Sequence, residues 1–310
     1  MNLHAVPHLG RHFVYGRIAA GRIRPAADWP QWGGTNQRNM VSSETHLPES
    51  VSAGKLVDGQ QRLDLSTALN VAWAVSLGSI TFGNPVVARG RVIVGTSTPT
   101  LDPRFTGDRG AVMCFDAARG DLVWQLNAPV DAKTNTNLAR GQKLGICSSA
   151  TVDGDRVYVA IGQDWTDPAD KGRLVCIDAT GAGDITQTGM IWSYDDISHT
   201  VGTVSVTGGL VYIADEAGKV HCIDAATGKV CWVYDCKAPI WGGTLVADGK
   251  VYVGTSRGKL LILAAGRVQR LISEASLGSP IAGTPVAANG ALYVATYKAL
   301  YAFRNADPTP

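Results

Sequence analysis

The sequence predicts an all-β protein, a β-propeller of about five four-stranded antiparallel blades closed by an N-terminal strand. Two short phrases recur along the chain, and each combines apolar runs with a glycine-containing turn. In the last repeats, Asp224, Ala264 and Arg304 occupy matching positions 40 residues apart, a period typical of propeller blades. The 36 glycines and the low share of charged residues, 17%, suit short strands joined by tight turns.

The first recurring phrase predicts the two inner strands of each blade, A and B. It consists of two apolar runs around a turn of glycine with Asp, Asn, Arg or Thr, which is a hairpin signal. It occurs as NPVVARGRVIVGTS from Asn84, SATVDGDRVYVAIG from Ser149, VSVTGGLVYIADE from Val204, TLVADGKVYVGTS from Thr244 and TPVAANGALYVATY from Thr284. Five copies predict five blades.

The second phrase predicts the outer strands, C and D, and its clearest copy is GKVHCIDAATGKVCW from Gly218 to Trp232. We expect the aspartate that ends strand C to accept hydrogen bonds from turn amides. We expect the turn glycine to take a positive φ and the tryptophan of strand D to pack between blades. These structural repeat residues are Asp116, Gly120, Trp124, Asp178, Trp192, Asp224, Thr227, Gly228, Trp232 and Trp73.

The two ends of the repeat region complement each other. NVAWAVSLG, residues 70–78, reads as a strand D without preceding strands, and the fifth set stops at LYAFRN without a strand D. We therefore predict that Trp73 lies in a strand that pairs with the strand containing Leu300 and Phe303, which would close the ring and remove open edges. The alternative is an open arc that covers its end blades by self-association.

The chain is predicted to divide into a disordered or targeting-like tail at 1–27, an extended lead-in segment at 28–69, the propeller at 70–305 and a tail at 306–310. The first segment contains four arginines and no acidic residue, and arginine interrupts its apolar stretch, so it is a poor signal-peptide core. No apolar run has the length of a membrane span. The formal charge of +2 gives no basis for nucleic-acid binding.

The cysteines and histidines show no metal-ligand spacing. His221 and Cys222 are neighbours on a predicted strand, so their side chains should point to opposite faces. Cys114, Cys176 and Cys222 share one repeat position, which is typical of small core residues. A four-residue hairpin loop would place Cys222 opposite Cys231, and we expect both thiols to stay reduced because a disulfide there would be strained.

Ligand-binding candidates follow from the architecture, because residues entering each strand A form one rim of the central channel. These mouth residues are Phe82, Asn84, Cys147, Ser148, His199, Thr200 and Trp241, with Ile281 from the fifth blade. Trp241 offers an indole face to a ligand or fills the axis as a plug. His199 is interpreted as a hydrogen-bonded loop residue. Three aspartates in QDWTDPAD are interpreted as a solvated loop rather than a calcium site: Asp164, Asp167 and Asp170.

The phrase IDAATGKVCW resembles the PQQ-like propeller repeat, in which Asp is followed by Thr-Gly-Lys and then by Trp. The match is best at Asp224, Thr227, Gly228, Lys229 and Trp232. DWPQWGG, near the start, resembles the first segment of exported bacterial PQQ-like proteins. The resemblance implies a propeller fold and a periplasmic or exported location. It also implies PQQ with calcium as the cofactor to consider, although the chain lacks the adjacent cysteine pair of several such dehydrogenases and has five blades where they have eight.

The function we favour is a non-catalytic scaffold or binding protein of the bacterial envelope, with a protein or saccharide partner. At the level of fold it resembles the propeller subunit of the outer-membrane barrel assembly machinery. One alternative is a quinoprotein-type oxidoreductase that uses the channel mouth, which would require clustered carboxylates around a cofactor. The other is a carbohydrate-binding module, which the aromatic residues near the rim suggest. No catalytic or metal-binding residue is assigned, because one fold hosts many functions.

Overall fold

The structure, a computed structural model, describes residues 14–17, 28–35, 48–50, 52, 55–56, 63–75, 77, 81, 83–99, 108–127, 146, 148–161, 171–288 and 291–303. Within this part of the chain, every regular element except the short 3-10 helix Leu65–Thr67 is a β-strand. The predicted all-β fold is confirmed.

Four strands precede the repeats: β1 (Val14–Arg17), β2 (Lys55–Leu56), β3 (Leu63–Asp64) and β4 (Trp73–Val75). Sheet 1 contains β5 (Val86–Ala88), β6 (Arg91–Pro99), β7 (Asp108–Asp116) and β8 (Leu122–Asn127). Sheet 2 contains β9 (Thr151–Asp153), β10 (Arg156–Ile161) and β11 (Lys171–Asp178). The two-residue β12 (Gly183–Asp184) then pairs in parallel with the outer strand of sheet 1, and β13 (Met190–Ser198) completes sheet 2.

Sheet 3 contains β14 (Ser205–Thr207), β15 (Leu210–Ala214), β16 (Lys219–Asp224) and β17 (Val230–Asp235). Sheet 4 contains β18 (Leu245–Ala247), β19 (Lys250–Gly254), β20 (Lys259–Ala264) and β21 (Leu271–Ser276). Sheet 5 contains β22 (Val286–Ala288), β23 (Ala291–Ala295) and β24 (Leu300–Phe303). Apart from β12, the strands of each sheet form an antiparallel meander in chain order, as the five hairpin phrases predicted, and the fifth sheet has three described strands.

The core lies between successive sheets, which pack face to face in the order of the chain. Separate buried clusters join sheet 1 to sheet 2, sheet 2 to sheet 3, and sheet 3 to sheet 4. The repeat cysteines belong to these clusters and are fully buried, as predicted. Burial raises the pKa of Cys114 and Cys222 to about 12 and that of Cys176 to about 11, so these thiols act as packing groups rather than nucleophiles.

The repeat aspartates and tryptophans make the predicted structural contacts. An Oδ1 of Asp224 accepts hydrogen bonds from the backbone N–H groups of Ala226 and Thr227, at 3.1 and 2.8 Å. Each tryptophan indole donates to a carbonyl in the C–D turn of the following sheet, with N–O distances of 2.8 to 3.1 Å. The donor and acceptor pairs are Trp73 with Ala117, Trp124 with Ala179, Trp192 with Ala225, and Trp232 with Gly266. These bonds fix neighbouring sheets to each other.

The pKa of the turn aspartate in sheet 3, Asp224, provides a test of the hydrogen bonds that its carboxylate accepts. Hydrogen bonds from Arg267, at 2.5 Å, and from Thr227 lower the pKa of Asp224 to about 2. Because this value lies below the ordinary 3.8, the contribution of the carboxylate to stability is complete above pH 3.8 and is lost as the pH falls toward 2. We expect carboxyl NMR titration to give a pKa near 2, and the Arg267→Ala variant to raise it.

Arg270→Ala is the matched control for that titration, because Arg270 is an exposed arginine of the same segment. It should leave the pKa of Asp224 unchanged. An unchanged pKa in Arg267→Ala would contradict the role of the ion pair.

The N-terminal strand does not pair as predicted. β4 pairs with β1 rather than with β24, and β24 pairs with β23 as its one described partner. The Trp73 ring lies 6.4 Å from the ring of Phe115 in sheet 1. The strand therefore covers the face of sheet 1 as an outer strand of a preceding blade would, but residues 14–17, from the segment predicted to be a tail, supply its backbone partner.

Sheet 5 consequently keeps an uncovered face and edge within the described structure. Leu300 is 72% exposed and Val286 51% exposed, whereas Val112 and Val86, at the equivalent positions of sheet 1, are fully buried. Self-association through this end of the chain remains a prediction.

The predicted register of the sheet 3 cysteines is wrong by one residue. Cys222 pairs with Trp232, Ile223 pairs with Val230, and a bulge places Cys231 between them. A bulge inserts one unpaired residue into a strand, which simple counting across a hairpin does not anticipate. Both cysteines are free, in agreement with the expected reduced thiols.

Residues 28–35, which we call the channel segment, lie along the inner strands. Trp29 exchanges two backbone hydrogen bonds with Val87 of β5, with N–O distances of 2.6 and 2.8 Å. The carbonyl of Pro30 accepts a hydrogen bond from Val152 of β9 at 2.8 Å. The start of the predicted lead-in segment thus pairs with the inner edges of sheets 1 and 2.

Candidate functional site

The inner strands of all five sheets begin around one cleft, which is the predicted channel mouth. The cleft has a volume of about 360 Å³. Its described lining residues are mostly small or hydroxylated and come from the stretch before the first strand of each sheet and from the channel segment: Trp32, Asn84, Ser149, Val201, Gly202, Thr203, Trp241, Gly242, Gly243, Ala282, Gly283 and Thr284. Two tryptophans provide its only described aromatic surfaces.

Two of the predicted mouth residues line this cleft. Trp241 is 43% exposed and lines the cleft, so its side chain is accessible from the mouth. Asn84 binds across to sheet 2, because its backbone N–H donates to Oγ of Ser149 at 3.0 Å. Phe82 and Cys147 lie outside the described residues, as do the three aspartates predicted to form a solvated loop.

The other predicted mouth residues are buried behind the cleft, where they hold strand ends together. Ser148 donates to the carbonyl of Ala160 at 2.8 Å, and Thr200 donates to that of Ala214 at 2.7 Å. Ile281 is fully buried in the core between sheets 4 and 5. These side chains are therefore structural in this conformation and do not reach the cleft surface.

His199 is buried and lies beside a carboxylate that the sequence motifs did not indicate. Its Nε2 is 3.7 Å from Oε1 of Glu216, and its carbonyl accepts a hydrogen bond from the Glu216 N–H at 2.9 Å. Its Nδ1 has no hydrogen-bond partner among the described residues. His199 thus braces the B–C turn of sheet 3 rather than lining the cleft.

Sequence reasoning missed Trp32, which faces the same cleft as Trp241 and is 38% exposed. The signal was present in DWPQWGG, where a second tryptophan follows a proline and precedes two glycines. The cleft floor is made of close-packed backbone. A Cβ added to Gly242 would lie 2.8 Å from the carbonyl oxygen of Gly283, so the adjacent sheets can approach this closely only because glycine stands there.

A second missed feature is a buried polar network between sheets 2 and 3, formed by Tyr194 of β13 with Asp215 and His221. Nε2 of His221 lies 3.0 Å from Oδ2 of Asp215, and its Nδ1 lies 3.0 Å from the hydroxyl of Tyr194. Asp215 also accepts hydrogen bonds from the backbone N–H groups of Ser198 and Lys219. His221 and Asp215 are fully buried, so the network is structural rather than reactive toward a ligand.

The Asp215 carboxylate is held ionised by these bonds. Burial acts to raise its pKa, but the hydrogen bonds from His221 and from the two backbone amides outweigh burial and lower the pKa below 3.8. The sequence repeat contained a signal that residue 215 accepts a backbone hydrogen bond in its turn, because Thr255 occupies the same turn position in sheet 4. Its Oγ accepts from the N–H of Lys259, as Asp215 accepts from that of Lys219.

The channel mouth does not fit PQQ with calcium. Calcium takes six to eight oxygen ligands, usually with carboxylates among them, and an anionic quinone is held most strongly by cationic side chains. None of the described lining residues is ionisable. In the described part of the chain, no three His, Cys, Asp or Glu side chains are grouped to hold a metal ion. What the cleft offers is two indole faces, hydroxyl and amide groups, and exposed backbone.

A family model described as "Outer membrane protein assembly factor BamB" matches residues 39–181 and 108–309. The two matches overlap and together cover most of the chain. The chain belongs to this family of PQQ-like repeat proteins. The predicted resemblance of this BamB-family chain to PQQ-like repeat proteins is thus confirmed.

The curated relatives of this BamB-family chain include much longer enzymes. Over 166 residues it is 30% identical to the quinohemoprotein alcohol dehydrogenase of Comamonas testosteroni, an alignment that covers 47% of this chain and 23% of the dehydrogenase. Over 98 residues it is 32% identical to the 1-butanol dehydrogenase (cytochrome c) of Thauera butanivorans, covering 27% and 14% of the two chains. The matched regions thus amount to about a quarter or less of these relatives.

Solved structures support the fold. The crystal structure of the Comamonas testosteroni quinohemoprotein alcohol dehydrogenase superposes with a TM-score of 0.56 at 14% identity, covering 90% of this chain and 49% of that one. The alcohol dehydrogenase ADHIIG of Pseudomonas putida gives 0.55 at 15% identity, covering 89% and 46%. At this identity the likeness concerns fold alone. Among the described residues, no helix is long and apolar enough to cross a membrane.

Proposed function

We propose that the protein is a non-catalytic propeller of the cell envelope that binds another protein through its channel mouth. The observation that carries this proposal is the lining of the mouth, where two exposed tryptophans stand among uncharged residues and no described side chain is ionisable, so none can act as a general acid or base. Exposed aromatic side chains beside small residues are typical anchors of protein interfaces. Membership of a family described as an outer membrane protein assembly factor supports an envelope location and protein partners.

The alternative is a quinoprotein-type oxidoreductase, which the 30% identity to a quinohemoprotein alcohol dehydrogenase favours. We expect purified protein titrated with PQQ and calcium to show no stoichiometric binding by calorimetry, and no alcohol-dependent reduction of an electron-accepting dye. The physical reason is the lack of an ionisable group among the described residues of the mouth. Stoichiometric PQQ binding that requires calcium would contradict the scaffold function and favour the quinoprotein-type oxidoreductase.

The scaffold itself is tested by crosslinking in cells. A photoreactive amino acid placed at Trp241 is expected to give one discrete adduct with an envelope protein, identified by mass spectrometry. Val268 is the matched control position, because it is 78% exposed but lies in the turn between β20 and β21, away from the mouth. Adducts of equal yield and identity from both positions would contradict a specific site.

A saccharide is the second partner class, since indole faces also stack on sugar rings. Tryptophan fluorescence titrated with envelope oligosaccharides separates it from a protein partner. Saturable quenching that Trp241→Ala removes would favour the carbohydrate-binding module over the protein-binding scaffold.

A further inference from the structure

The channel segment shows how the inner strands of this propeller bind an extended backbone. Trp29 donates its N–H to the carbonyl of Val87 and accepts from the Val87 N–H, and Pro30 accepts from the Val152 N–H. A single extended stretch thereby joins the edges of two neighbouring inner strands with three backbone hydrogen bonds. This is addition of a strand to an open sheet edge.

The same backbone position recurs in the next two sheets. Val87 and Val152 stand opposite Val92 and Val157 of strand B, and the equivalent register pairs are Val206 with Val211 and Val246 with Val251. Because strands of equal register present the same groups to the channel, the N–H groups of Val206 and Val246 face it as those of Val87 and Val152 do.

These two positions are available to a partner. Among the described residues, no acceptor is bonded to the N–H of Val206 or Val246. Both residues line a cleft of about 430 Å³ between the inner strands of sheets 3 and 4, and Gln31 of the channel segment lies at its boundary. An unpaired inner edge beside an occupied one is a template for further strand addition.

The cleft lining indicates what kind of segment fits. Beside the two valines it contains Leu245, Thr207, glycines and the side of Tyr212, and its one ionisable group apart from that tyrosine is Asp248. The Asp248 carboxylate is paired with Lys250 at 2.5 Å and stands in an exposed turn. An uncharged extended segment therefore fits this cleft better than a charged one, since a buried unpaired charge is costly.

We propose that the inner edges of sheets 3 and 4 bind an extended, uncharged peptide segment of the partner protein. Its backbone exchanges two hydrogen bonds with Val206 and accepts a third from Val246, repeating the bonds of Trp29 and Pro30 with sheets 1 and 2. The inference rests on the proposed protein-binding function and names the chemistry of the partner.

The test uses the full chain and a synthetic capped peptide with the sequence of residues 29–34, Trp-Pro-Gln-Trp-Gly-Gly. We expect saturable binding by calorimetry, and about tenfold or more weaker binding of the same peptide N-methylated at its first tryptophan, which loses one backbone donor. The protein variant Val206→Pro, which lacks the channel-facing N–H, should weaken binding of the unmodified peptide to the same degree. Edge strands tolerate proline at such positions.

Ala287→Pro is the matched control, because Ala287 holds the same backbone position in sheet 5, outside the cleft lining. It should bind the peptide as the parent chain does. Equal affinity of the methylated peptide, unchanged affinity of a folded Val206→Pro, or no saturable binding of the unmodified peptide would overturn the inference. The methylated peptide decides the question even if Val206→Pro does not fold. If crosslinking from Trp241 succeeds while the peptide does not bind, the inference fails and the scaffold function stands.

Discussion

Replacement of Asp215 by alanine is expected to lower the free energy of unfolding by about 3–5 kcal/mol, because it removes one partner from a buried ionic network. The carboxylate accepts hydrogen bonds from His221 and from two backbone amides, and both side chains of the pair are fully buried. Truncation leaves these donors without their acceptor, and the His221 ring is fully buried, so water cannot readily replace the carboxylate there. Urea denaturation at pH 7 measures the loss.

The corresponding side chains of sheet 4 indicate a variant that should restore the lost stability. There Thr255 and Leu261 occupy the positions of Asp215 and His221, and both are buried. The triple variant Asp215→Thr, His221→Leu, Tyr194→Phe replaces every side chain of the network. The threonine Oγ can accept from the N–H of Lys219, as Thr255 does from that of Lys259, which leaves only the partly buried N–H of Ser198 without its acceptor. We expect it to recover most of the stability that Asp215→Ala loses. A triple variant as unstable as the single one would contradict the network as the cause.

The same network sets a pH dependence. The pKa of Asp215 is lower in the folded protein than the ordinary 3.8, so its contribution is complete above pH 3.8 and is lost as the pH falls through the folded value. The triple variant should therefore lose less stability than the parent chain between neutral pH and pH 3.

Substitution of Gly228 by alanine is expected to cost about 2–4 kcal/mol, the second largest effect. Gly228 has a φ of 71°, which favours glycine, and an added Cβ would lie 2.6 Å from the Trp192 ring. The tryptophan cannot move without losing the hydrogen bond from its indole to Ala225. The substitution thus strains the turn and separates sheet 2 from sheet 3.

Gly154→Ala is the control variant that separates the cost of backbone strain from the cost of the contact with Trp192. Gly154 also has a positive φ, 61°, but nothing lies within 4 Å of a Cβ added there. It should cost about 1–2 kcal/mol through backbone conformation alone. Equal thermal and urea stability of the two variants would show that Trp192 does not hold the interface as described.

The repeat made the sheets predictable from the sequence. Asp224 and Gly228 were recognisable because capping a turn and taking a positive φ are local tasks that a short phrase encodes. The register of Cys231 was not, because the bulge adds an unpaired residue that counting across the hairpin misses, although the same bulge recurs in sheets 1, 2 and 4. The partner of β4 was also missed, since the phrase from 70 to 78 carries the signal for packing on sheet 1 but not for its hydrogen-bonded neighbour.

The candidate site was predictable only in part. Asn84 and Trp241 follow from the rule that residues entering the inner strands form the channel rim, and both line the cleft. The rule does not distinguish side chains that face the cleft from those that point into the core, which is why Ser148 and Thr200 were included. Trp32 comes from outside the repeats, so no periodicity locates it.

The uneven burial of the last sheet also determines where the chain opens first. In a row of units that contact only their neighbours, the stability of each unit depends on the interfaces it shares. Among the described residues, sheet 3 shares a large cluster with the sheet on either side, whereas sheet 5 joins sheet 4 through the few buried side chains around Ile281 and Val294. Amide hydrogens of β23 and β24 should therefore exchange through partial opening at a free energy well below that of β15, so the protein unravels from its C-terminal end inward.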